Sequence, residues 1–581
     1  MKLKTRLQPF IQNTPGLLLL NLISSLILLL INQLLHSLSK VMLGLSGRVT
    51  ISSGDFTFLF TSWQGWLLII LGLATVLLYV AIDVNAQFIY CGQLLSGEKP
   101  SILKSFGQGF FSLKEYLDPR GPIVILYLTL LSPVIGLGFS ISLTRSFYIP
   151  KFISAVIEKN PLFFTGLIVL SLALLTFAVI HCFILHGVLL GDQSMKESGS
   201  ASGKLLRRNW KNFIWEMIRY FLTIAVISVV GMLTLFVIPI YVAELLPVSE
   251  NISLFITMWF SLLSALFVIL QYLLCPSYLL MKTILLYKKY TAEGEWAYTA
   301  KAPRGRFMIP VVSGVLLLIL SVFSVLGVAY ADDVFPSEIK PQIVAHRAGG
   351  KEAPENTAKG LEVSASLKAA GGEIDIQRTS DGKYVVNHDD TFQRVAGDPR
   401  KSYEMTLEQV KQLRVDGEPV STLEEMLEAS RDKLILFVEL KGETADRQMA
   451  DDAVRIIKEM NMADQTVIIS LKYDVLAYVE EKYPEMETGY LAFFSFGDIE
   501  NTPFDYLALE EEIATPGAID AIHDKGKKIM VWTVNDEDDI ESFLLSDADM
   551  IITDEVKMSL EMKERLQNRD TADRIMDMIM Q

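Results

Sequence analysis

Two histidines in the second half of the chain stand at the ends of short apolar runs, where they could act in acid–base chemistry. His346 ends the run IVAH and His388 ends YVVNH, so each lies where a predicted strand passes into a loop. Such loops commonly carry catalytic groups. One histidine could serve as a general base and the other as a general acid. Arg347 and Lys441 are cations that can contact phosphate oxygens.

Four acidic residues near these histidines form a candidate metal site. Glu373 and Asp375 alternate along the predicted strand GEIDIQ, so their side chains face the same side. Glu355 and Glu439 could join them from neighbouring strand ends. Four carboxylates without a cysteine provide only oxygen donors, which suits Ca²⁺ or Mg²⁺. Any one of them alone could be a solvated loop charge, but the group would repel itself without a cation.

The elements that must position these residues alternate between short apolar strands and helical stretches. Helical patterns such as STLEEMLEAS and ADRQMADDAVRIIKEM separate the runs, which is the order expected for a parallel barrel surrounded by helices. About 230 residues suit one (β/α)₈ unit, whose catalytic groups lie at the carboxyl ends of the strands. The candidate strands are QIVAHRA, GEIDIQ, YVVNHD, LILFVELK, TVIIS, TGYLAFF, YLALE, KIMVWTV and DMIITD.

Charge divides the chain into two parts. Residues 1–330 carry 24 Lys and Arg against 13 Asp and Glu, a balance of +11; the totals of 52 and 67 leave 28 and 54 for the remainder, a balance of −26. A domain this acidic lacks the basic surface that nucleic acid requires. Cys91, Cys182 and Cys275 all precede residue 331, so no disulfide framework is predicted and the cysteine-free second part suits an exported domain.

The first part, residues 1–330, is predicted to be a multi-span α-helical membrane domain. Its apolar stretches are long enough to cross a hydrocarbon core of roughly 30 Å. The first stretch follows MKLKTR and resembles a signal peptide, but the lack of a clear small-residue cleavage site favours a retained helix. The seven candidate spans lie near 15–38, 63–83, 121–144, 161–189, 218–244, 253–283 and 308–330.

Basic residues in alternate loops predict the orientation of these spans. Lys2, Lys4 and Arg6 precede the first span, and further basic clusters follow the second, fourth and sixth spans. The amino terminus is therefore expected in the cytoplasm. With seven spans the second part lies outside the cell, and an error of one span would reverse that placement. The linker 331–340 enters the first strand at its amino-terminal end, so we expect the catalytic face to point away from the bilayer.

Residues 341–556 resemble the glycerophosphodiester phosphodiesterase family through an ordered series of motifs: HRAGGKEAPENT, EIDIQRTSDGKYVVNHD, STLEE, FVELKG, VWTVND and DMIITD. The series is specific as an ordered set, although each motif alone is weak. A multi-span half followed by this domain resembles the membrane-domain branch of the family in Gram-positive bacteria. The resemblance implies a TIM-type barrel over 341–581 that ends in a helical tail. Ala348 stands where most relatives have glycine, which could reshape the phosphate-facing turn.

The resemblance also implies an activity, namely metal-dependent hydrolysis of glycerophosphodiesters to glycerol phosphate and an alcohol at the outer face of the membrane. In relatives the neighbouring hydroxyl of the glycerol is thought to attack phosphorus. The released alcohol stays open among free glycerophosphodiesters, lysophospholipids and lipoteichoic acid. The alternative is a transporter or sensor with the barrel as a binding module. Carried over by position, the roles are acid/base for His346 and His388, substrate binding for Arg347, Lys441 and Trp532, and metal binding for Glu355, Glu373, Asp375 and Glu439.

Overall fold

The computed structural model describes residues 3–46, 48–52, 56–122, 124–125, 157, 160–191, 193–245, 248–291, 308–330 and 338–569. The chain forms two compact units. One contains Met1–Leu38, Leu67–Ile149 and Ala155–Val334, and the other contains Ser39–Trp66, Pro150–Ser154 and Phe335–Gln581.

The first unit is built from apolar helices. Helices coincide with six of the seven predicted spans, and the predicted span at 121–144 lies almost wholly outside the described residues. Among the described residues, five helical stretches are long and apolar enough to cross a membrane, and Ser313–Ala329 is a shorter apolar helix. Its helices are Leu3–Leu45, Trp63–Tyr79, Ala86–Leu95, Ile102–Phe111, Pro161–His181, Ile184–Leu190, Met195–Met232, Ile238–Leu245, Glu250–Thr291 and Met308–Ala329, with π-helical turns at Val80–Asn85 and Leu233–Val237. The end of the first helix from Ser39, the short helix Phe56–Thr61 and the start of the helix Trp63–Tyr79 belong to the second unit.

The second unit is a closed barrel of eight parallel strands, as the sequence predicts. The strands in chain order are β1 (Thr50–Ser52), β2 (Gln342–Ala345), β3 (Gly371–Arg378), β4 (Tyr384–Val386), β5 (Arg414–Val415), β6 (Glu418–Pro419), β7 (Ile435–Leu440), β8 (Thr466–Ser470), β9 (Thr488–Ala492), β10 (Ser495–Gly497), β11 (Tyr506–Glu510), β12 (Lys528–Trp532) and β13 (Met550–Thr553). Going round the barrel, the strands follow the order β2, β3, β7, β8, β9, β11, β12, β13, and β13 pairs with β2 to close it.

Alternation along the strands separates two apolar layers. On β7, Leu436 and Val438 join the core between strands and helices, whereas Phe437 joins a smaller core inside the barrel. On β3, Ile374 and Ile376 likewise belong to the outer core. Because successive side chains of a strand point to opposite faces, the residues between them point into the barrel. Position 375 is one of these, and its side chain enters the barrel near the carboxyl end of β3.

Polar side chains fix where several barrel helices begin. Thr422 and Glu425 form a reciprocal capping box at the start of the helix Leu423–Ser430. The Asp446 carboxylate accepts a hydrogen bond from the Met449 N–H at the start of the helix Arg447–Glu459. Such caps satisfy N–H groups that lack an intrahelical partner. The helices of this unit are Ala358–Ser366, Gln393–Ala396, Leu407–Val410, Leu423–Ser430, Arg447–Glu459, Tyr473–Lys482, Pro516–His523, Glu537–Leu544 and Val556–Gln567.

One predicted strand has a different role from the one expected. YVVNHD was expected to belong to the parallel barrel, but its strand β4 pairs antiparallel with β3 and lies outside the eight-stranded ring. Only residues 379–383 connect β3 to β4. A connection of that length makes a turn, whereas parallel strands need a crossover of about a dozen residues. His388 therefore lies in the loop after β4 rather than at the end of a barrel strand.

Candidate active site

Three carboxylates meet inside the carboxyl end of the barrel. Glu373 and Asp375 are two residues apart on β3, and Asp375 is the register partner of Glu439 on β7. One oxygen of each lies within 4.8 Å of the others. All three side chains are buried, with Asp375 only 1% exposed. The register of two adjacent parallel strands therefore produces the cluster that the sequence predicts for these three residues.

Neighbouring donors hold the cluster in place. Lys441 Nζ lies 2.7 Å from Asp375 Oδ1 and 3.0 Å from Glu439 Oε2. The Arg347 backbone N–H donates to Glu373 Oε2 at 2.9 Å. Asn356 Nδ2 donates to the second Asp375 oxygen at 2.8 Å. One ammonium thus faces three carboxylates, and the cluster keeps an excess of negative charge.

Burial and the neighbouring charges shift the pKa values of all three carboxyls. Burial, together with the charges of Asp375 and Glu439, raises the pKa of Glu373 well above its ordinary range. Burial also raises the pKa of Glu439, to about 7. For Asp375 burial acts in the same direction, but the positive charge of Lys441 outweighs it and lowers the pKa. Two of the three groups therefore favour the proton-bound form.

The donor set of this cluster fits a divalent metal. Glu373, Asp375 and Glu439 provide only oxygen ligands, which hard cations such as Ca²⁺ and Mg²⁺ prefer. A divalent cation would compensate the excess negative charge that raises the pKa values of two of the carboxyls. These three residues are the ones that would hold it.

Glu355 is not part of this cluster among the described residues. Its two carboxylate oxygens accept hydrogen bonds from Arg394 at 2.6 and 2.8 Å, and Arg347 Nη1 lies 3.4 Å away. The geometry with Arg394 is bidentate, the arrangement in which arginine binds a carboxylate most strongly. Metal binding by Glu355 stays a prediction, and the structure assigns this side chain an ion pair instead.

The rest of the Glu-Asn-Thr triplet also has defined contacts. Asn356 contacts Asp375 through both ends of its amide, because its Oδ1 accepts from the Asp375 backbone N–H at 3.2 Å. Thr357 caps the helix Ala358–Ser366 by accepting from the Gly360 N–H. The triplet therefore connects a surface ion pair, a buried carboxylate and a helix start.

His346 follows β2 and forms a pair with Asp554, which follows β13. His346 Nδ1 lies 2.8 Å from Asp554 Oδ1, and Asn535 Nδ2 donates to the other carboxylate oxygen at 2.7 Å. Burial opposes ionisation of Asp554, but the hydrogen bonds from His346 and Asn535 lower its pKa to about 2. An ionised carboxylate only accepts, so His346 Nδ1 is the donor. Nε2 is then the nitrogen that can exchange a proton with a substrate.

His388 has a similar partner. Its Nδ1 lies 2.9 Å from Asp389 Oδ1, and the Asp389 carboxylate also accepts from Arg394 Nε at 2.7 Å. Burial lowers the pKa of His388, while the hydrogen bond to Asp389 opposes the change. His388 is therefore neutral at physiological pH. Arg394 links Asp389 to Glu355 and orders this side of the site.

The turn after His346 has an unusual backbone. Arg347 and Ala348 have φ angles of 48° and 72°, in the left-handed region that costs side-chain-bearing residues energy. Ala348 occupies the position where glycine would be free of that cost. Arg347 Nε is buried and has no hydrogen-bond partner among the described residues, and a buried donor of this kind is suited to an anionic ligand.

Trp532 ends β12 on the other side of the barrel. Its indole Nε1 donates to the Ala508 carbonyl at 2.7 Å, and its ring packs at the edge of the inner apolar core. This bond holds the ring orientation at the carboxyl end of the barrel. Lining of the substrate pocket by Trp532 stays a prediction.

Sequence reasoning missed several residues that orient the site. Asn356, Arg394 and Asn535 contact predicted site residues or their partners directly. Asp389 and Asp554 stand at the ends of the predicted strands YVVNHD and DMIITD, where polar residues of interest were expected, but neither was given a role. The NHD and ENT triplets contained a signal for Asp389 and Asn356, since both adjoin predicted site residues. Asn535 stands in the quoted motif VWTVND with Trp532, whereas Arg394 had no such signal.

A parallel barrel with three carboxylates and two histidine–carboxylate pairs at its carboxyl end has the architecture of a TIM-barrel enzyme with acid–base groups in its active site. Residues 346–558 match the glycerophosphoryl diester phosphodiesterase family, and residues 3–329 match the family described as the membrane domain of glycerophosphoryl diester phosphodiesterase. The chain therefore belongs to the glycerophosphoryl diester phosphodiesterase family, in its membrane-domain branch, and is a phosphoric diester hydrolase.

Relatives match the barrel part of the chain. A glycerophosphodiester phosphodiesterase of Caldanaerobacter subterraneus subsp. tengcongensis is 30% identical over 236 residues, which is 37% of this chain and 95% of the relative. Human glycerophosphodiester phosphodiesterase 1 is 26% identical over 273 residues, which is 39% of this chain and 82% of the relative. A solved Oleispira antarctica phosphodiesterase in complex with the product sn-glycerol-3-phosphate is 23% identical, covers 40% of this chain and 99% of its own, and has a TM-score of 0.36.

Proposed function

We propose that this enzyme hydrolyses glycerophosphodiesters to glycerol phosphate and an alcohol, with Ca²⁺ or Mg²⁺, at the outer face of the cell membrane. The observation that carries the metal requirement is the buried cluster of Glu373, Asp375 and Glu439, which has more negative charge than Lys441 can compensate. When bound, a divalent cation supplies charge neutralisation at the phosphate oxygens. Among the described residues, Arg347 and Lys441 both contact this cluster.

The surroundings of the two histidines suggest their roles. His388 is neutral because burial lowers its pKa, so it suits the general base that removes a proton from the substrate. His346 donates its Nδ1–H to the ionised carboxylate of Asp554, which leaves Nε2 for the leaving alcohol. His346 therefore suits the general acid that protonates the leaving alcohol. Each Nδ1 is held by its carboxylate, so proton exchange falls to Nε2.

The nucleophile in this proposal is the hydroxyl of the glycerol next to the phosphate ester. Its oxygen bonds to phosphorus while the bond from phosphorus to the alcohol oxygen breaks. His388 takes the hydroxyl proton, and His346 gives a proton to the alcohol. Water then opens the resulting cyclic phosphate to glycerol phosphate. An internal hydroxyl is already held near phosphorus, which removes much of the entropic cost of attack.

Pairing between β1 and β10 supports the outer location. β1 lies in sequence between the first two candidate spans, and β10 belongs to the barrel. Paired strands must lie on the same side of a membrane. The basic residues Lys2, Lys4 and Arg6 favour a cytoplasmic amino terminus, so one crossing by the span Thr14–Leu45 would place both strands outside. This reasoning does not depend on the number of later spans.

Full-length purified protein tests the activity and its metal requirement together. Glycerophosphocholine should release glycerol phosphate, chelation should abolish the release, and Ca²⁺ or Mg²⁺ should restore it. Full activity in a strong chelator would refute the metal role. An analogue that lacks the neighbouring hydroxyl should bind without turnover, and brisk cleavage of it would instead favour attack by water. A reporter fused at Gln581 that is active only in the cytoplasm would refute the outer location.

A further inference from the structure

Residues Ser39–Trp66 come from the membrane half of the sequence but belong to the same compact unit as the barrel. Within this segment β1 pairs antiparallel with β10, with Thr50 opposite Gly497 and Ile51 opposite Phe496. Thr50 Oγ1 lies 3.0 Å from Ser495 Oγ. The segment therefore adds a strand to a loop of the barrel.

Close packing indicates that this contact is specific. Ile51 and Leu43 are each 1% exposed. Gly497 has a φ of 118°, and a Cβ there would lie 2.6 Å from the Val49 carbonyl oxygen and 2.8 Å from Leu43 Cδ1. Only glycine permits this approach. Lys40 Nζ also forms an ion pair with Asp498 Oδ1 at 2.8 Å.

The position of β10 places this contact at the mouth of the barrel. β10 begins three residues after β9 ends at Ala492, so it lies at the carboxyl end of the strands. β9 is four strands away from β2 in either direction round the eight-stranded ring. The phosphate-binding and metal-binding residues come from β2, β3 and β7. The β1 contact is therefore across the mouth from His346.

Aromatic residues are frequent in the two segments that carry β1 and β10. The loop AFFSFG that carries β10 contains Phe493, Phe494 and Phe496. In the segment after β1, Phe60 is 63% exposed and Trp63 is 62% exposed. Trp63 begins the second candidate span, and tryptophan at such a position is typical of the membrane–water interface. β1 itself begins five residues after the first candidate span ends at Leu45, which is at most roughly 18 Å of chain.

We propose that residues 49–52 and 56–66 form the alcohol-side wall of the active-site mouth and that the preferred substrates are amphiphilic glycerophosphodiesters, whose alcohol carries an apolar chain. The inference rests on the proposed function. With phosphate held on the side of β2, β3 and β7, the alcohol extends across the mouth toward this wall. A short tether to the first span keeps the wall near the lipid surface. This differs from the expectation, based on the linker 331–340, that the catalytic face points away from the bilayer.

The test uses full-length protein in lipid nanodiscs and two substrates, glycerophosphobutanol and glycerophosphohexadecanol, which differ only in alkyl length. Gly497→Ala should displace β1 from the barrel. The quantity to compare is kcat/KM for the hexadecyl substrate divided by kcat/KM for the butyl substrate. Gly497→Ala should lower this ratio about tenfold, mainly by raising KM for the hexadecyl substrate, because roughly two methylene groups lose apolar contact. Gly382→Ala is the matched control, because Gly382 also has a positive φ, 73°, but has nothing within 4 Å of the added Cβ. The control should leave the ratio unchanged.

Two further experiments test the contact between β1 and β10 independently of Gly497→Ala. Ile51→Asp disrupts the same contact from the membrane-half side, so it should lower the ratio even if Gly497→Ala fails to fold. Thr50→Cys combined with Ser495→Cys should form a disulfide on oxidation in membranes. An unchanged ratio in a folded Gly497→Ala or Ile51→Asp protein would overturn the inference, and so would the absence of a cross-link. If such a protein still hydrolysed the butyl substrate, the proposed function would stand. A wild-type enzyme inert toward both substrates would refute the proposed function and the inference with it.

Discussion

Asp554→Asn is the substitution that most directly tests the assignment of His346 as general acid. Asp554 Oδ1 contacts His346 Nδ1 at 2.8 Å, and asparagine preserves the shape of the side chain while removing its charge. The amide can also turn its N–H₂ group toward Nδ1, which would force the imidazole proton onto Nε2. The variant should fold, because Asn535 still contacts the position through the Asp554 backbone N–H.

The size of the effect follows from the pKa of Asp554. That pKa is about 2, against an ordinary value of 3.8, and a difference of this size corresponds to roughly 2–3 kcal/mol. If most of this energy reflects the pairing with His346, losing it should raise the barrier for alcohol protonation by a similar amount. The expected loss in kcat/KM is then about 30- to 100-fold.

The leaving group provides the decisive comparison. An alkyl alcohol needs a proton as it leaves, whereas p-nitrophenol does not. Asp554→Asn should therefore lower kcat/KM about 30- to 100-fold for glycerophosphobutanol but only a fewfold for the p-nitrophenyl ester of glycerol phosphate. Asn535→Ala, which removes one donor to the same carboxylate, should show a smaller loss with the same leaving-group dependence. Equal losses on the alkyl and aryl substrates would refute the acid role of His346.

Three other measurements test the rest of the site and the barrel. Metal affinity should weaken as the pH falls below 7, by up to about tenfold per pH unit for each proton released on binding, because Glu439, with a pKa of about 7, must lose its proton to bind the metal. Titration calorimetry that shows no pH dependence between 5.5 and 7 would contradict this. Asp375→Asn should weaken metal binding at least ~100-fold, because loss of a ligand should exceed the ~10- to 100-fold that loss of a ligand's hydrogen-bond partner typically costs. Glu355→Gln should weaken it less than Asp375→Asn does, since Glu355 is paired with Arg394, and equal losses would return Glu355 to the ligand set. Leu436→Ala, at a fully buried position of β7, should destabilise the barrel by about 2–5 kcal/mol, and an unchanged unfolding midpoint would argue against the described core.

Much of the barrel was predictable because each strand is a short apolar run with its own turn signals. Eight of the nine candidate runs occupy the ring. The ninth, YVV, has the same composition, and only the short connection with its DGK turn distinguishes it. Connection length decides whether a neighbouring strand is parallel or antiparallel, so this difference could have been read from the sequence.

The carboxylate cluster was predictable in part for a similar reason. Period-two alternation places Glu373 and Asp375 on one face, and strand order brings Glu439 beside them. Glu355 lies in a loop, where no period constrains direction, and its pairing with Arg394 joins positions 39 residues apart. The pairing of His346 with Asp554 joins positions 208 residues apart. Contacts of this kind depend on closure of the ring, which no local pattern encodes.

The β1–β10 pairing has a consequence for the order in which the protein is assembled. Thr50 and Ser495 are 445 residues apart, so β1 is synthesised long before its partner exists. Until β10 has been synthesised, β1 lacks its native partner, and an unpaired strand edge can form non-native pairings. Its length of three residues limits that hazard. The contact can form only after the later spans are inserted and the barrel strands up to β10 have been made, so it is among the last steps in the maturation of the enzyme.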